Sequence, residues 1–331
     1  VHPNIPGIDL PGVMVLKSLA DGRRIKQFIK ENQVRRVVVV GMGYIALEMC
    51  EAFHALGLAV TMLKPNPDLL PWMEPSSAQI VQEELESRSV ELMFGEYLRS
   101  VETASGGLKA VCDHATIDTD MVLIAMGVQP NSGIAKDAGL DLSVGGSIAV
   151  NKKLETSDGN IYAAGDCADA VHVVTQDKAW VPLALRANRA GWAVADNVCD
   201  REKELPGIAG TAVFKVFDLE VARTGLGMQE AAAAGFAPAG VIIKTRSKAH
   251  AHPGNTIIHV HMVGDVKSGR LLGVQMVGKE GVAHRINAPA VALHNQMTVA
   301  AFSESDLAYA PPFGPTWDPL LTTANQLIKK L

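Results

Sequence analysis

Small residues at a fixed spacing follow a run of valines near the start of the chain. Gly41, Gly43 and Ala46 form the pattern G-x-G-x-x-A directly after "RRVVVV". The first glycine permits a sharp turn, the second lets backbone approach a pyrophosphate, and the small third residue lets a helix pack closely on a strand. The N–H groups that open this helix would face the phosphates. The spacing therefore predicts a dinucleotide-binding loop.

The residue at the end of the next predicted strand bears on the choice of dinucleotide. A NAD site usually places Asp or Glu there, and its carboxylate accepts hydrogen bonds from the adenosine ribose. Here "TMLKPNPD" supplies Lys64, whose ammonium group would favour a 2′-phosphate and hence NADPH. The alternative is an exposed lysine that leaves the ribose to backbone groups, because lysines are common at protein surfaces.

Two histidine pairs, His250 with His252 and His259 with His261, flank "PGN" in the last third of the chain. On a hairpin each pair would share a face, and neutral imidazoles could converge on a metal ion. No carboxylate or thiolate lies close to them in sequence. We therefore predict polar positions near a dimer interface or a substrate entrance, and no metal site.

The cysteines are the remaining residues with evident chemistry. Cys50, Cys112, Cys167 and Cys199 lie far apart without a Cys-x-x-Cys pair, which argues against a zinc ribbon or a local redox disulfide. Unpaired cysteines usually behave as small buried hydrophobic residues. Free thiols and a reducing, cytoplasmic location are predicted.

The elements that must position the phosphate loop alternate between strand and helix. The predicted order is an amphipathic helix over 17–32, a buried strand at "RRVVVV", a helix from about Gly43 to Leu56, a strand at "LAVTML", a helix opened by Pro75, and a strand at "VELMF". A continuous β-branched run is typical of a strand buried on both faces of a parallel sheet. This alternation predicts the doubly wound arrangement.

Beyond this region the pattern changes twice. Short β-like pieces up to Met126 predict a small antiparallel meander, and a strand in "TSDGNIYAAGD" precedes a helix with Leu185, Ala193 and Val194 facing inward. From about Gly210, β runs alternate with two or three helices, which predicts a separate α+β domain. The predicted fold class is α/β, with Rossmann-like nucleotide-binding domains followed by an α+β C-terminal domain.

Composition limits the possible partners. A net charge of −5 and an aromatic content of 5% over 331 residues provide neither the basic surface nor the stacking surface of a nucleic-acid-binding protein. The longest apolar runs are much shorter than the ~20 residues that span a bilayer. Neither nucleic acid nor membrane is a predicted partner. Since the sequence does not begin with Met, it gives no information on upstream targeting signals.

Five motifs occur in order along the chain: "GMGYIALEM", "IAMGVQPN", "TSDGNIYAAGDCAD", "VPLALRANRAG" and "DLAYAPPFG". With this set the chain resembles the flavin-dependent pyridine nucleotide-disulfide oxidoreductases, in particular the branch of coenzyme A-disulfide reductases, NADH oxidases and NADH peroxidases. The resemblance implies an enzyme that passes hydride from NAD(P)H through FAD to a disulfide or thiol-type acceptor, a persulfide, peroxide or oxygen. It also implies a homodimer formed through the C-terminal domain.

The resemblance also implies a domain order. Residues 1–34 would be a linker and lead-in helix, 35–126 the NAD(P)H-binding domain, 127–205 the second segment of the FAD-binding domain, and 206–331 the dimerisation domain. Family members carry a first FAD segment and a redox-active cysteine ahead of the nicotinamide domain. This chain is expected to begin after that segment, so the redox cysteine would lie outside it. It would then bind NADPH or NADH but bind FAD weakly.

Residue roles follow from the same resemblance. Gly41, Gly43 and Ala46, with Ile45 between them, would hold the pyrophosphate of NAD(P)H. Tyr44 would cover the flavin ring until the nicotinamide displaces it.

Other implied roles concern the nicotinamide and the flavin. Glu48 would lie near the nicotinamide, and Gly127 would line the nucleotide cleft. Asp166 would accept hydrogen bonds from ribityl hydroxyls or lie near pyrophosphate oxygens of FAD. Leu183 and Ala184, at the start of a helix, would direct N–H groups and a positive dipole end towards the flavin.

Tyr309 would reach into the partner subunit's active site as an auxiliary catalytic residue. Two of these residues have simpler alternatives: Tyr309 as an interface tyrosine with a satisfied hydroxyl, and Glu48 as an acidic residue favoured by a helix dipole. Two other functions also stay open. One is a non-catalytic nucleotide-binding dimer module, and the other is a ferredoxin or rubredoxin reductase.

Overall fold

The computed structural model describes residues 3–331. They form two compact units. Unit 1 comprises the described residues up to Val128 together with Phe214–Leu219, and unit 2 comprises Gln129–Val213 and Glu220–Leu331.

Unit 1 is a parallel sheet with helices and a small meander. In chain order its elements are β1 (Val13–Val15), α1 (Leu19–Glu31), β2 (Arg36–Val40), α2 (Tyr44–Ala55), β3 (Ala59–Lys64), α3 (Pro75–Ser87), β4 (Glu91–Phe94), β5 (Leu98–Ala104), β6 (Gly107–Cys112), β7 (Thr116–Thr119) and β8 (Met121–Ile124). Five strands pair in the order β1-β8-β2-β3-β4, all parallel. Strands β5, β6 and β7 form a separate antiparallel sheet. The doubly wound arrangement and the meander predicted from the sequence are confirmed.

Local chemistry fixes the helix ends in unit 1. Ser18 caps α1 by accepting a hydrogen bond from the Asp21 N–H, and the Asp21 carboxylate accepts one from the Ser18 N–H. The Ser18 hydroxyl also donates to the Asp21 carboxylate at 2.9 Å. This bond and then the one from the Ser18 N–H are the main reasons that the pKa of Asp21 falls to about 2. Helix α3 has Pro75 at its first position and the Glu74 carboxylate as its cap. Helix α2 has no side-chain cap.

Unit 2 contains most of the second half of the chain. The elements that lie wholly or partly in it are α4 (Gly133–Asp137), a 3-10 turn (Val144–Gly146), β9 (Ala170–Val171), β10 (Lys178–Ala179), α5 (Ala184–Val198), β11 (Ala212–Val216), β12 (Leu219–Gly225), α6 (Met228–Ala233), β13 (Pro238–Arg246), β14 (Ile257–Asp265), β15 (Leu271–Gly278), α7 (Asn287–His294), α8 (Val299–Ser303), α9 (Pro319–Leu327) and a 3-10 turn (Ile328–Lys330). The end of β11, the turn after it and the first residue of β12 belong to unit 1. The larger sheet has the order β11-β12-β15-β14-β13, and its pairs from β12 to β13 are antiparallel. Strand β15 is buried along its whole length. This is the predicted α+β region.

Three expectations from the sequence need correction. Strand β1 lies within 1–34, where a linker and a helix were expected, and pairs Val13 with Val122 of β8. The strand predicted in 156–166 is wrong, because within this range only Tyr162 makes a β-bridge, an isolated one to Glu155. Leu185 was predicted to face inward but is 64% exposed.

Across residues 3–331, no helix combines the length and the apolar character needed to cross a membrane.

Candidate functional site

The turn after β2 has a backbone shape that only glycine tolerates. Gly41 has a φ of 112°, and its N–H donates to the Leu63 carbonyl at 2.8 Å. A Cβ atom at this position would lie 2.3 Å from the carbonyl oxygen of Ala125. The turn is therefore held between β3 and the segment that follows β8, and a side chain here would displace backbone.

The start of α2 is open. Gly43, its N-cap, is extended with φ −83° and ψ −175°, and it makes no side-chain cap. A Cβ atom at Gly43 would meet nothing within 4 Å, whereas Ala46 is fully buried and lets the helix pack on the sheet. The first N–H groups of a helix have no intrahelical acceptor. The chain thus offers uncapped donors and a positive dipole end beside a bare glycine, which fits a pyrophosphate.

A cavity of about 590 Å³ opens in front of this helix end. Its walls come from four segments besides the glycine turn: 15–17, 63–72, 96–98 and 124–128. Ile45 and Gly127 line it, as their implied roles require, and Gly127 has a φ of 100°. Apart from Lys64, the residues of 63–72 and 96–98 that line the cavity were not predicted as site residues, because loop residues carry no periodic signal.

Tyr44 and Glu48 lie on α2 close to this cavity. The Tyr44 ring is 4.6 Å from the Phe214 ring and 6.3 Å from the Trp72 ring, measured between centroids, within unit 1. Glu48 is exposed, and its pKa is raised by partial burial and then by Glu51. Their roles towards flavin and nicotinamide stay predictions.

Lys64 ends β3 and lines the cavity. Its Nζ donates to the backbone carbonyls of Asp68 at 2.6 Å and Leu69 at 3.1 Å. Partial burial lowers the pKa of the ammonium group. The predicted contact with a 2′-phosphate stays a prediction.

Unit 2 contains a second uncapped helix end, and the residue before Asp166 packs against its first turn. Helix α5 begins at Ala184 after Leu183, without a side-chain cap. Gly165 has a φ of 92°, and a Cβ there would lie 3.9 Å from the Cβ of Ala187, so Gly165 packs on the first turn of α5. The next residue, Asp166, is exposed, and its carbonyl accepts a hydrogen bond from the Trp180 Nε1–H at 2.7 Å.

This pairing has a clear chemical meaning. A carboxylate accepts hydrogen bonds from hydroxyl groups, and an uncapped helix N-terminus favours negative charge. Asp166, Leu183 and Ala184 were each assigned to a flavin from the sequence. Leu183 and Ala184 begin α5, and Asp166 follows the glycine that packs on its first turn. These residues fit a flavin, because the Asp166 carboxylate can accept from ribityl hydroxyls and the N-terminus of α5 can stabilise negative charge on the reduced ring.

A second cavity, of about 650 Å³, runs along α5. Its lining combines three cationic side chains, Arg186, Arg189 and Lys203, with the carboxylates of Asp196 and Glu204. His294 and Trp192, which is 75% exposed, line it as well. This cavity was not predicted from the sequence. The spacing of Arg186, Arg189 and Trp192, three residues apart on one face of α5, could have indicated it.

Arg186 connects this cavity to a buried carboxylate. Its Nη2 donates to the Asp169 carbonyl at 3.0 Å, and burial lowers its pKa. Asp169 is fully buried, and its Oδ1 accepts from the Lys178 ammonium at 3.1 Å and from the Val150 N–H at 3.0 Å. The two cations offset the cost of burying the Asp169 charge.

The four thiols are free. Cys50 and Cys112 are buried, which raises their pKa values to about 12 and about 11, so both stay protonated at neutral pH. Cys167 donates to the Ala164 carbonyl at 3.4 Å, and Cys199 is exposed.

His250 and His252 lie in the loop between β13 and β14, whereas His259 and His261 are on β14 opposite Lys244 and Ile242. His259 and His261, two residues apart on β14, share a face as predicted, whereas His250 and His252 lie outside the strands. Within residues 3–331, no group of three or more His, Cys, Asp or Glu side chains is placed to hold a metal ion.

Tyr309 lies in the segment between α8 and α9 and is 51% exposed. Phe313 and Trp317 of the same segment are also exposed. Arg285 fixes its end, because the guanidinium donates to the Asp318 carboxylate at 2.8 Å and to the Phe313 carbonyl at 2.8 Å.

Two family models match the chain. The model described as "Pyridine nucleotide-disulphide oxidoreductase" matches residues 1–191, and the model of the dimerisation domain of the same enzymes matches residues 211–319.

Named relatives are similar along almost the whole chain. A CoA-dependent NAD(P)H sulfur oxidoreductase from Pyrococcus furiosus is 38% identical over 98% of this chain and 73% of its own length. A coenzyme A disulfide reductase from Staphylococcus aureus is 32% identical over 94% of this chain and 70% of its own length.

Solved structures agree with this grouping. The structure of reduced Bacillus anthracis CoADR-RHD superposes with a TM-score of 0.95 at 34% identity, covering 99% of this chain and 59% of that chain. A water-forming NADH oxidase from Lactobacillus brevis, bound to NADH, gives a TM-score of 0.94 at 26% identity, covering 100% of this chain and 73% of that chain. The chain therefore spans 59% of the Bacillus anthracis protein and about three quarters of its curated relatives.

Proposed function

Because the chain belongs to the pyridine nucleotide-disulphide oxidoreductase family, we propose that it binds NAD(P)H on the Gly41–Gly43 turn and serves an FAD-dependent oxidoreductase. One observation carries the proposal: the uncapped start of α2 faces a cavity of about 590 Å³. It lies next to Gly41, where a side chain would collide with backbone. This arrangement suits a dinucleotide pyrophosphate better than any other ligand class that the sequence allows.

Each group of residues has a distinct task in this proposal. The N–H groups of the first turn of α2 bind the pyrophosphate, and the walls at 63–72 and 124–128 exclude water from the bound coenzyme. Asp166 accepts hydrogen bonds from flavin hydroxyls, while the N-terminus of α5 stabilises negative charge. FAD, when bound, supplies the chemistry that accepts hydride from the nicotinamide and passes electrons on.

The second half of the chain is proposed to form the homodimer. The match of residues 211–319 to the dimerisation-domain model supports this role. Within that assembly Tyr309, exposed on a segment that Arg285 anchors, is proposed to contact the partner subunit's active site. The proposed domains keep the boundaries 35–126, 127–205 and 206–331, preceded by 1–34.

The proposed acceptor is a coenzyme A-linked disulfide or persulfide. The names of the relatives from Pyrococcus furiosus and Staphylococcus aureus point to this class. Oxygen is the second candidate, because a relative from Methanocaldococcus jannaschii, 34% identical over 99% of this chain, is named an NADH oxidase.

Oxidation of NADH and NADPH by the full-length protein supplied with FAD tests the proposal, with coenzyme A disulfide, polysulfide, peroxide and oxygen compared side by side. We expect turnover with coenzyme A disulfide or polysulfide to exceed that with peroxide or oxygen at least about tenfold, a difference of about 1.4 kcal/mol in activation free energy. Equal or faster turnover with oxygen would favour an oxidase. Tight NADH binding without oxidation by any acceptor would favour a non-catalytic module.

A further inference from the structure

The ammonium group of Lys64 is hydrogen-bonded to the protein's own backbone. The ammonium group donates to two consecutive carbonyls, those of Asp68 and Leu69, at 2.6 and 3.1 Å. Hydrogen bonds from a charged donor are the stronger class in proteins. The side chain therefore closes a ring between the end of β3 and a segment four and five residues further on.

That segment forms one wall of the dinucleotide cavity. Pro65, Leu69, Leu70, Pro71 and Trp72 all line it. Leu69 and Leu70 are only 3% exposed, so burial of their apolar side chains anchors the wall.

Two further hydrogen bonds shape the wall. The Asn66 Oδ1 accepts from the Asp68 N–H at 2.7 Å, and the Met73 N–H donates to the Leu70 carbonyl at 2.8 Å. The carbonyls of Asp68 and Leu69 are directed to the Lys64 ammonium group. Without that donor the Leu69 carbonyl, which is partly buried, would lose its partner, and the exposed Asp68 carbonyl would turn to water. Both changes favour opening of the wall.

The backbone of Lys64 lies where the remaining parts of the site meet. Its carbonyl accepts from the Glu96 N–H at 3.2 Å, and the preceding carbonyl, of Leu63, accepts from the Gly41 N–H at 2.8 Å. The glycine turn, the 65–72 wall and the 96–98 wall therefore meet at the end of β3. The fall in the pKa of Lys64, caused by burial, agrees with a side chain packed into a wall.

We propose that Lys64 is a positioning residue that holds the 65–72 wall closed over the adenosine half of the coenzyme. The adenosine ribose is expected at this strand end in a dinucleotide fold. Lys64 then supports NADH and NADPH alike, and does not select NADPH through its 2′-phosphate. The inference rests on the proposed function, because it presupposes a dinucleotide in this cavity.

The first test compares dissociation constants for NADH and NADPH in three variants, by titration of the purified chain. Lys64→Met removes the donors and keeps the length of the side chain, and Lys64→Arg restores donors. Lys26→Met, at an exposed position of α1, is the matched control. We expect Lys64→Met to weaken both coenzymes by the same factor, about tenfold, Lys64→Arg to recover most of the loss, and Lys26→Met to have no effect.

Hydrogen exchange of residues 65–72 in the same variants separates positioning from general destabilisation. Lys64→Met should lose the protection that NADH gives to this segment, while the exchange of β2 and β8 stays as in the wild type. A selective loss of NADPH affinity, by tenfold more than NADH, would overturn the proposal, and so would unchanged affinity for both.

A second test needs no variant. A direct contact between an ammonium group and a 2′-phosphate weakens with salt, because ions screen exposed charges. If Lys64 makes no such contact, the affinities of the wild type for NADH and NADPH should fall in parallel as salt is raised. A rise from roughly 50 to 500 mM is suitable, because the Debye length shortens about threefold over this range. A steeper fall for NADPH would contradict the proposal. If the wild type binds neither coenzyme, the proposed function itself fails.

Discussion

A Gly43→Asp variant should fold at least as well as the wild type and lose most of its affinity for NADH and NADPH. A Cβ at Gly43 would meet no atom within 4 Å, and the extended backbone of φ −83° suits any residue. Aspartate is a preferred N-cap, so it would satisfy the open N–H groups of α2 and add a few tenths of a kcal/mol to stability. The same carboxylate would occupy the phosphate position and repel the pyrophosphate.

We expect affinity to fall about a hundredfold, which corresponds to about 2.7 kcal/mol. The measurement is a titration of each coenzyme, with thermal unfolding recorded on the same samples. Gly133→Asp is the matched control, because Gly133 begins α4 and a Cβ there also meets nothing within 4 Å. Affinity within threefold of the wild type would show that the N-terminus of α2 does not bind phosphate.

Replacing Arg285 by methionine should cause a large loss of stability in unit 2. Its guanidinium donates to the Asp318 carboxylate and to the carbonyls of Gly281, Ser247 and Phe313, and both charged side chains are 13% exposed. Removing one partner of a largely buried pair leaves the other charge uncompensated, which costs about 3 kcal/mol. Asp318 also caps α9, so the segment that carries Tyr309 would lose its anchor.

Urea unfolding monitored by circular dichroism measures this loss directly. Arg246→Met serves as the control, because Arg246 is exposed and bonds only to Asn255 among the contacts described; its effect should stay within about 0.5 kcal/mol. A loss below about 1 kcal/mol for Arg285→Met would mean that water replaces the guanidinium and that the segment is held by other contacts.

The sequence predicted the nucleotide fold well because its signals are local. The valine run, the glycine spacing and Pro75 each determine the conformation of their own neighbourhood, and the helices and strands around Gly41 follow as expected. Strand β1 was missed because three residues provide too little alternation to indicate a strand, and it forms only by pairing with β8.

Prediction was weaker where contacts between distant residues decide the outcome. The carbonyls that Lys64 bonds are set by the fold of the 65–72 segment, and no residue type identifies a backbone acceptor. Asp166 and Ala184 were each assigned, but only the packing of Gly165 on Ala187 brings the residue before Asp166 to the first turn of α5. Leu185 was misplaced because an apolar residue on a helix is usually taken to face the core.

A crystal structure of the chain with bound NADH tests the central claim most directly. We expect pyrophosphate oxygens about 2.7–3.2 Å from backbone nitrogens in the first turn of α2, with the adenosine under the 65–72 wall. NADH bound elsewhere, with the start of α2 left to solvent, would contradict it.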